Sequence, residues 1–386
     1  MQSWQLLSVI IVATALLPKG NAEEKKPEKL LVYVGTYTRG TKSEGIYRME
    51  LDLTTGKLSS PALAGKAVNP SFVAIHPSGK YLYSCGEIDD FSRGRKGSGS
   101  VDAFAIDANG DLSLLNQMPS DGGAPCHLIT DRAGKFVLCA NYSGGNALVL
   151  PIEAEGKLGK ATAFVQHKGK SINPARQEGP HAHSINLDSA NRYAFVADLG
   201  LDKVLIYRFD PEKGTLEANN PGGVNLAPGA GPRHFAFHPN GKYAYVINEL
   251  DMTVTAFKYD AKTGKLEAIQ SVPTVEKQKP GDSTAEVVVH PSGKFVYGSN
   301  RGDNRIAIFR CDEETGKLTP AGHQGKGVNT PRNFAIDPTG KFCLVANQDG
   351  HSVLVFKIDP ETGGLEPTEH RAEIPSPVCI RMMRRP

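Results

Sequence analysis

Arg233 and Glu249 occupy the two ends of one repetitive stretch, residues 231–250 (GPRHFAFHPNGKYAYVINEL). Side chains that alternate on both sides of a Pro-Asn-Gly turn predict a two-stranded hairpin over residues 233–237 and 243–248. A hairpin returns to its own starting end, so a permanent cation and a carboxylate should lie side by side. A histidine added to such a pair can take a proton from water while the cation steadies an oxyanion. The preceding repeat supplies one through His181 and His183 (HAH), and related repeats place His127, His234, Glu286, Arg301 and Arg332 near the same end.

The elements that must hold these residues are repeats. A turn of the HPSGKY type recurs six times, at residues 76–81, 131–136, 188–193, 238–243, 290–295 and 337–342. An acidic turn ending in Gly-x-Leu recurs seven times, beginning at Asp52, Asp107, Glu153, Asp210, Asp260, Asp312 and Asp359. A spacing of about fifty residues with short strands between turns predicts four-stranded blades in a ring. The expected fold is all-β, a seven-bladed β-propeller filling residues 23–386 as a single domain. The missing first turn is explained by closure. Residues 30–36 read as a second strand and residues 376–382 as a first strand, so the C-terminus should complete the blade that the N-terminus begins and remove the open edges.

Aligned on the turn glycine, the first strands begin with Ser71, Cys126, His183, Arg233, Ala285 and Arg332, followed by Phe72, His127, Ser184, His234, Glu286 and Asn333. The second strands end near Glu87, Tyr142, Leu199, Glu249, Arg301 and Gln348. These columns should meet on one face, where varied polar residues on a constant scaffold suggest a grafted site. The column Asn141, Asp198, Asn248, Asn300 and Asn347 reads as structural, satisfying backbone groups at strand ends. His76, His238 and His290 read as turn residues. Two longer loops, residues 91–100 and 168–180, carry Arg93, Arg95, Lys96, Lys168, Lys170 and Arg176, and suit a basic lid over an anionic substrate.

Bulk properties exclude more than they select. Of 386 residues, 44 are basic and 41 acidic, which gives no argument for nucleic-acid binding. Residues 6–17 (LLSVIIVATALL) are too short to span a bilayer and, with the small residues before position 23, resemble an export leader cleaved after Ala22. Export would make the protein periplasmic or secreted with no membrane association; without cleavage it would be cytoplasmic. Six cysteines are scattered without a CxxC pair and read mostly as strand filler, although Cys126 and Cys139 flank one hairpin and can pair in an oxidising compartment. An HxH such as His181/His183 can bind a metal, but no clustered carboxylates accompany it, so no metal or cofactor is expected. No Gly-x-Ser-x-Gly elbow, Walker loop or dinucleotide fingerprint is present.

The order GPHAHS (residues 179–184), GAGPRHFAFHP (229–239), YAYVINEL (243–250) and SNRG (299–302) resembles the seven-bladed propeller lactonases. That family comprises the propeller-type 6-phosphogluconolactonases and the related carboxy-muconate lactonizing enzymes. The resemblance runs from about residue 29 to 381 and implies a metal-independent active cleft at His183, Arg233 and Glu249, with Arg301 holding anionic groups. The repeat alignment selects His183 over His181, because His183 shares the column of Arg233. Hydrolysis of a small anionic sugar lactone is the implied activity. A muconate-cyclising isomerase and an exported binding propeller are the alternatives, and a monomer or weak dimer is the expected assembly.

Overall fold

The computed structural model describes residues 28–92 and 96–385, together with Met1. The leader read in residues 1–22 lies almost entirely outside these, as do Arg93 and Arg95. Among the described residues, twenty-eight strands form seven antiparallel sheets of four. Among the described residues no helix is long and apolar enough to cross a membrane.

Six blades begin at the central channel and run outward in sequence order, and the seventh takes its inner strand from the C-terminal end. Ring closure follows the expected scheme: strand Pro377–Arg384 pairs antiparallel with Lys29–Thr36, matching Val34 to Ile380 and Tyr33 to Arg381. Second strands such as Tyr243–Asn248 (YAYVIN) are buried along their whole length, because blades cover both of their faces. Their Tyr, Val and Ile side chains build the layers between blades; Tyr245 and Ile247 pack with Val287 and Val296 of the next blade.

The repeated turns lock neighbouring blades. His76 Nε2 lies 2.9 Å from the Gly134 carbonyl, and His238 and His290 reach Gly293 and Gly340 at the same distance. The buried phenols of Tyr33, Tyr83, Tyr245 and Tyr297 donate to the carbonyls of Gly110, Gly156, Gly316 and Gly363 at 2.8–3.1 Å. Both sets are interblade clasps, and a buried polar head needs such a partner. The turn histidines are therefore structural.

One feature departs from a plain hairpin. In strand Pro232–Phe237, Pro232 opposes Asn248 and His234 opposes Ile247, so Arg233 is an extra, bulged residue. The same shift falls at Cys126, His183 and Arg332. In a regular strand, adjacent residues point to opposite faces; a bulge re-aims one of them. Arg233 and His234 can then both serve the channel.

His238→Ala should remove an interblade hydrogen bond and the Nδ1 acceptor of Asn240 N–H. We expect a loss of about 1–3 kcal/mol in urea unfolding, with the kinetics of the folded protein retained.

Candidate active site

The bulged residues and the ends of the second strands converge on one mouth of the channel, around Glu249. Its position is fixed first by backbone: Glu249 N–H donates to the Gly231 carbonyl at 2.7 Å, and Thr284 N–H donates to the Glu249 carbonyl at 3.3 Å. Gly231 has φ of 67°, and a Cβ there would lie 2.6 Å from Leu250 Cγ, so only glycine makes this junction without strain.

Three guanidiniums meet the Glu249 carboxylate. Arg233 Nε donates to Oε2 at 2.9 Å, Arg301 Nη2 to the same oxygen at 3.0 Å, and Arg176 Nη2 to Oε1 at 2.7 Å. Burial alone would raise the Glu249 pKa, but Arg301, Arg233 and Arg176 together hold it well below the ordinary carboxylate range. A carboxyl so held carries no proton at neutral pH. Glu249 can orient its neighbours and cannot act as a proton donor to a leaving alkoxide.

Arg233 is 2% exposed and also donates to the Ala285 carbonyl at 2.5 Å through Nη1. Burial presses Arg301 down to about 10, which leaves it charged at neutral pH. Its Nη2 also bonds the Thr284 carbonyl at 2.7 Å, so Arg301 braces the next blade against Glu249. Arg332 makes no ion pair among the described residues and stacks over the Tyr37 ring at 5.2 Å. Tyr37 in turn donates to Glu87 at 3.0 Å.

His183 is almost fully buried, with Nε2 3.8 Å from Glu249 Oε2 and Nδ1 3.6 Å from Cys126 Sγ. Burial first, then Arg233, His234 and Arg332, lowers its pKa well below that of free histidine, so the ring is neutral. His181 points elsewhere: its Nδ1 lies 3.1 Å from the Tyr142 carbonyl, its Nε2 3.2 Å from Glu178, and its ring stacks on Tyr142 at 4.6 Å. The HxH pair does not converge, and among the described residues no group of three His, Cys, Asp or Glu side chains is placed to hold a metal ion.

His127, His234 and Glu286 form a second layer deeper in the channel. His234 packs edge-on against His183 and His127 at 5.4 and 5.2 Å between ring centres. Glu286 is saturated by His234 Nδ1 at 2.8 Å, Val287 N–H at 3.0 Å and the Asn333 amide. Burial depresses the basicity of both His127 and His234. This layer lines a cavity of about 290 Å³ together with Ile129, Phe334, Ala335 and Arg381.

Sequence reasoning did not single out Tyr142, Cys126 or Arg176 as members of the site. Tyr142 ends a second strand in the same column as Glu249, which is the signal that marks it. Cys126 occupies the bulge column and was read as filler or as a disulfide partner of Cys139. Both thiols are free, and burial keeps Cys126 protonated. Arg176 lies in the predicted lid, and its pairing with Glu249 has no local sequence signature. The column from Asn141 to Asn347 is structural: Asn141 donates to the Ser120 carbonyl, Asn300 to that of Thr274 and Asn347 to that of Gly327, while Asp198 accepts from His181 N–H.

A closed ring of seven blades with an Arg–Glu–His cluster at one mouth defines a β-propeller whose site is built on strand-start bulges. Residues 31–382 match the family model described as Lactonase, 7-bladed beta-propeller, and the chain belongs to that family. It is 39% identical over 308 residues to a 6-phosphogluconolactonase of Bacillus subtilis, covering 79% of this chain and 84% of that protein. A 6-phosphogluconolactonase of Formosa agariphila is 36% identical, covering 79% and 85%. The solved periplasmic gluconolactonase of Pseudomonas aeruginosa superposes with a TM-score of 0.85 at 30% identity, covering 93% of this chain and all of that one.

All 6 cysteines are buried and free. A thiol reagent should therefore label none in the native protein and six after unfolding in guanidinium without reductant. A count of four would reveal a disulfide.

Proposed function

We propose that the protein hydrolyses a sugar lactone at this mouth, with 6-phosphogluconolactone as the substrate and 6-phosphogluconate as the product. The observation that carries the reading is a neutral, buried His183 beside an ionised Glu249 that three arginines surround. The names of the Bacillus and Formosa relatives support the substrate.

In this mechanism His183 bears its proton on Nδ1, facing Cys126, and uses the Nε2 lone pair as general base. Water loses a proton to Nε2 as its oxygen attacks the lactone carbonyl carbon. The carbonyl electrons move onto oxygen, where Arg233 and Arg332 stabilise the charge in a partly dry mouth. Collapse breaks the bond to the ring oxygen, which takes the proton back from His183. Glu249 holds Arg233 and Arg301 in place throughout and stays ionised. His181 sets one wall through Tyr142, while His127, His234 and Glu286 form the floor on which the substrate rests. None of these steps calls for a metal, so activity should survive EDTA. The leader-like segment and the periplasmic Pseudomonas relative support export of the mature chain.

Two measurements test the reading on fresh lactone, with spontaneous opening subtracted. Arg233→Ala should reduce kcat by about 10²–10³; retained activity would remove Arg233 from the mechanism. The second is the pH profile of kcat/KM. His183 works as the neutral base, so activity falls only as pH drops through its folded pKa. Burial and the adjacent cations depress that value, which places the acid limb below the ordinary 6.5 of histidine. A limb at or above 6.5 would contradict a buried His183 base.

A further inference from the structure

The loop of residues 168–180 is folded onto the ring through one carboxylate. Asp202 accepts from Ser171 Oγ at 2.6 Å and Gln177 Nε2 at 2.8 Å, and also from the backbone N–H groups of Gly229 and Gly231 at 2.6 and 2.7 Å. Gln177 is fully buried, donates further to the Leu199 carbonyl at 2.8 Å, and its Oε1 receives Asn173 N–H at 3.1 Å. Asn173 Oδ1 in turn accepts from the backbone N–H groups of Ala175 and Arg176. Asp202 thereby ties the loop to the same turn that precedes Arg233, and fixes where Arg176 projects.

Arg176 differs from the other guanidiniums on Glu249. Its side chain is 40% exposed, against 2% for Arg233 and 16% for Arg301. Only its Nη2 is engaged, by Glu249 and by the Tyr142 hydroxyl at 3.0 Å. Its Nε and Nη1 have no partner among the described residues, so a planar fork of donors remains open toward solvent. Four guanidiniums, those of Arg176, Arg233, Arg301 and Arg332, gather at this mouth, and the open donors of Arg176 suit a phosphate monoester, which carries about −1.5 to −2 at neutral pH. With the lactone carbonyl at Arg233 and His183, the remote end of the sugar points outward, where Arg176 stands.

We propose that Arg176, positioned by the Asp202–Gln177 clasp, binds the phosphate of a phosphorylated sugar lactone and sets the preference for it over the unphosphorylated lactone. The assignment rests on the lactonase reading for its substrate, but its binding chemistry can be tested apart from turnover. A charge-assisted bidentate contact of this kind contributes about 1.5–3 kcal/mol, or about tenfold or more in affinity.

The experiment compares the wild type with Arg176→Gln and Arg176→Lys on 6-phosphogluconolactone and gluconolactone. Calorimetric titrations with 6-phosphogluconate and gluconate run alongside. In Arg176→Gln the ratio of kcat/KM for the two lactones should fall about tenfold, with the change in KM, and lysine should restore part of it. Affinity for 6-phosphogluconate should fall by a similar factor relative to gluconate. An unchanged ratio, or an equal fall in kcat on both lactones, would overturn the assignment and make Arg176 a support for Glu249 alone. If neither lactone is turned over, the lactonase reading fails while the titration still decides. A selective loss of 6-phosphogluconate binding upholds the role of Arg176; no binding, or binding indifferent to the substitution, ends it.

Discussion

A buried carboxylate held by guanidiniums from three parts of the chain is the constraint on which this site depends. Glu249 ends a second strand of one blade. Arg233 comes from the adjacent inner strand, Arg301 from the next blade and Arg176 from the loop that leads into the preceding blade. An isolated ionised carboxylate would be costly to bury; three cations make its charge the stable form. The reverse also holds, since Arg233 and Arg301 stay buried and charged only because Glu249 lies against them. Backbone carbonyls of Ala285 and Thr284 hold Arg233 and Arg301 at the same time, so the cluster is pre-organised, as electrostatic catalysis requires.

The scaffold makes this cluster possible through a local irregularity repeated round the ring. A proline, Pro125, Pro232 or Pro331, starts the strand before three of the bulged residues, and Ala182 takes that place before His183. The extra residue turns Cys126, His183, Arg233 and Arg332 toward the mouth without disturbing the apolar alternation that follows. One structural solution thus presents several different side chains, and the chemistry of the mouth is changed by substitution at the bulges rather than by rebuilding blades. The histidine and tyrosine clasps between blades lie away from this mouth, which separates stability from function.

Much of this was legible in the sequence for physical reasons. The HPxGK and acidic Gly-x-Leu turns fix hairpin registers, so the number of blades and the ring closure by residues 377–384 follow from counting and strand polarity. Arg233 and Glu249 were paired because a hairpin must bring its ends together. The bulge was not legible: it adds one residue without altering the hydrophobic pattern, and appears only when pairing partners are known. The same limit hid the role of Cys126, an apolar-looking residue in a strand-like run. Arg176 illustrates the other kind of failure. Its place depends on Asp202, Gln177 and Asn173 folding a long loop back on the ring, and no periodicity encodes such tertiary contacts.

The most direct test of this account is the kinetics of Glu249→Gln. The amide keeps the shape and one acceptor of the carboxylate but removes the charge that orders the arginines. With cooperative unfolding confirmed, kcat/KM on the lactone should fall by about a hundredfold or more, because Arg233 loses its fixed aim. Activity within threefold of the wild type would contradict the claim that the Glu249 charge organises the site.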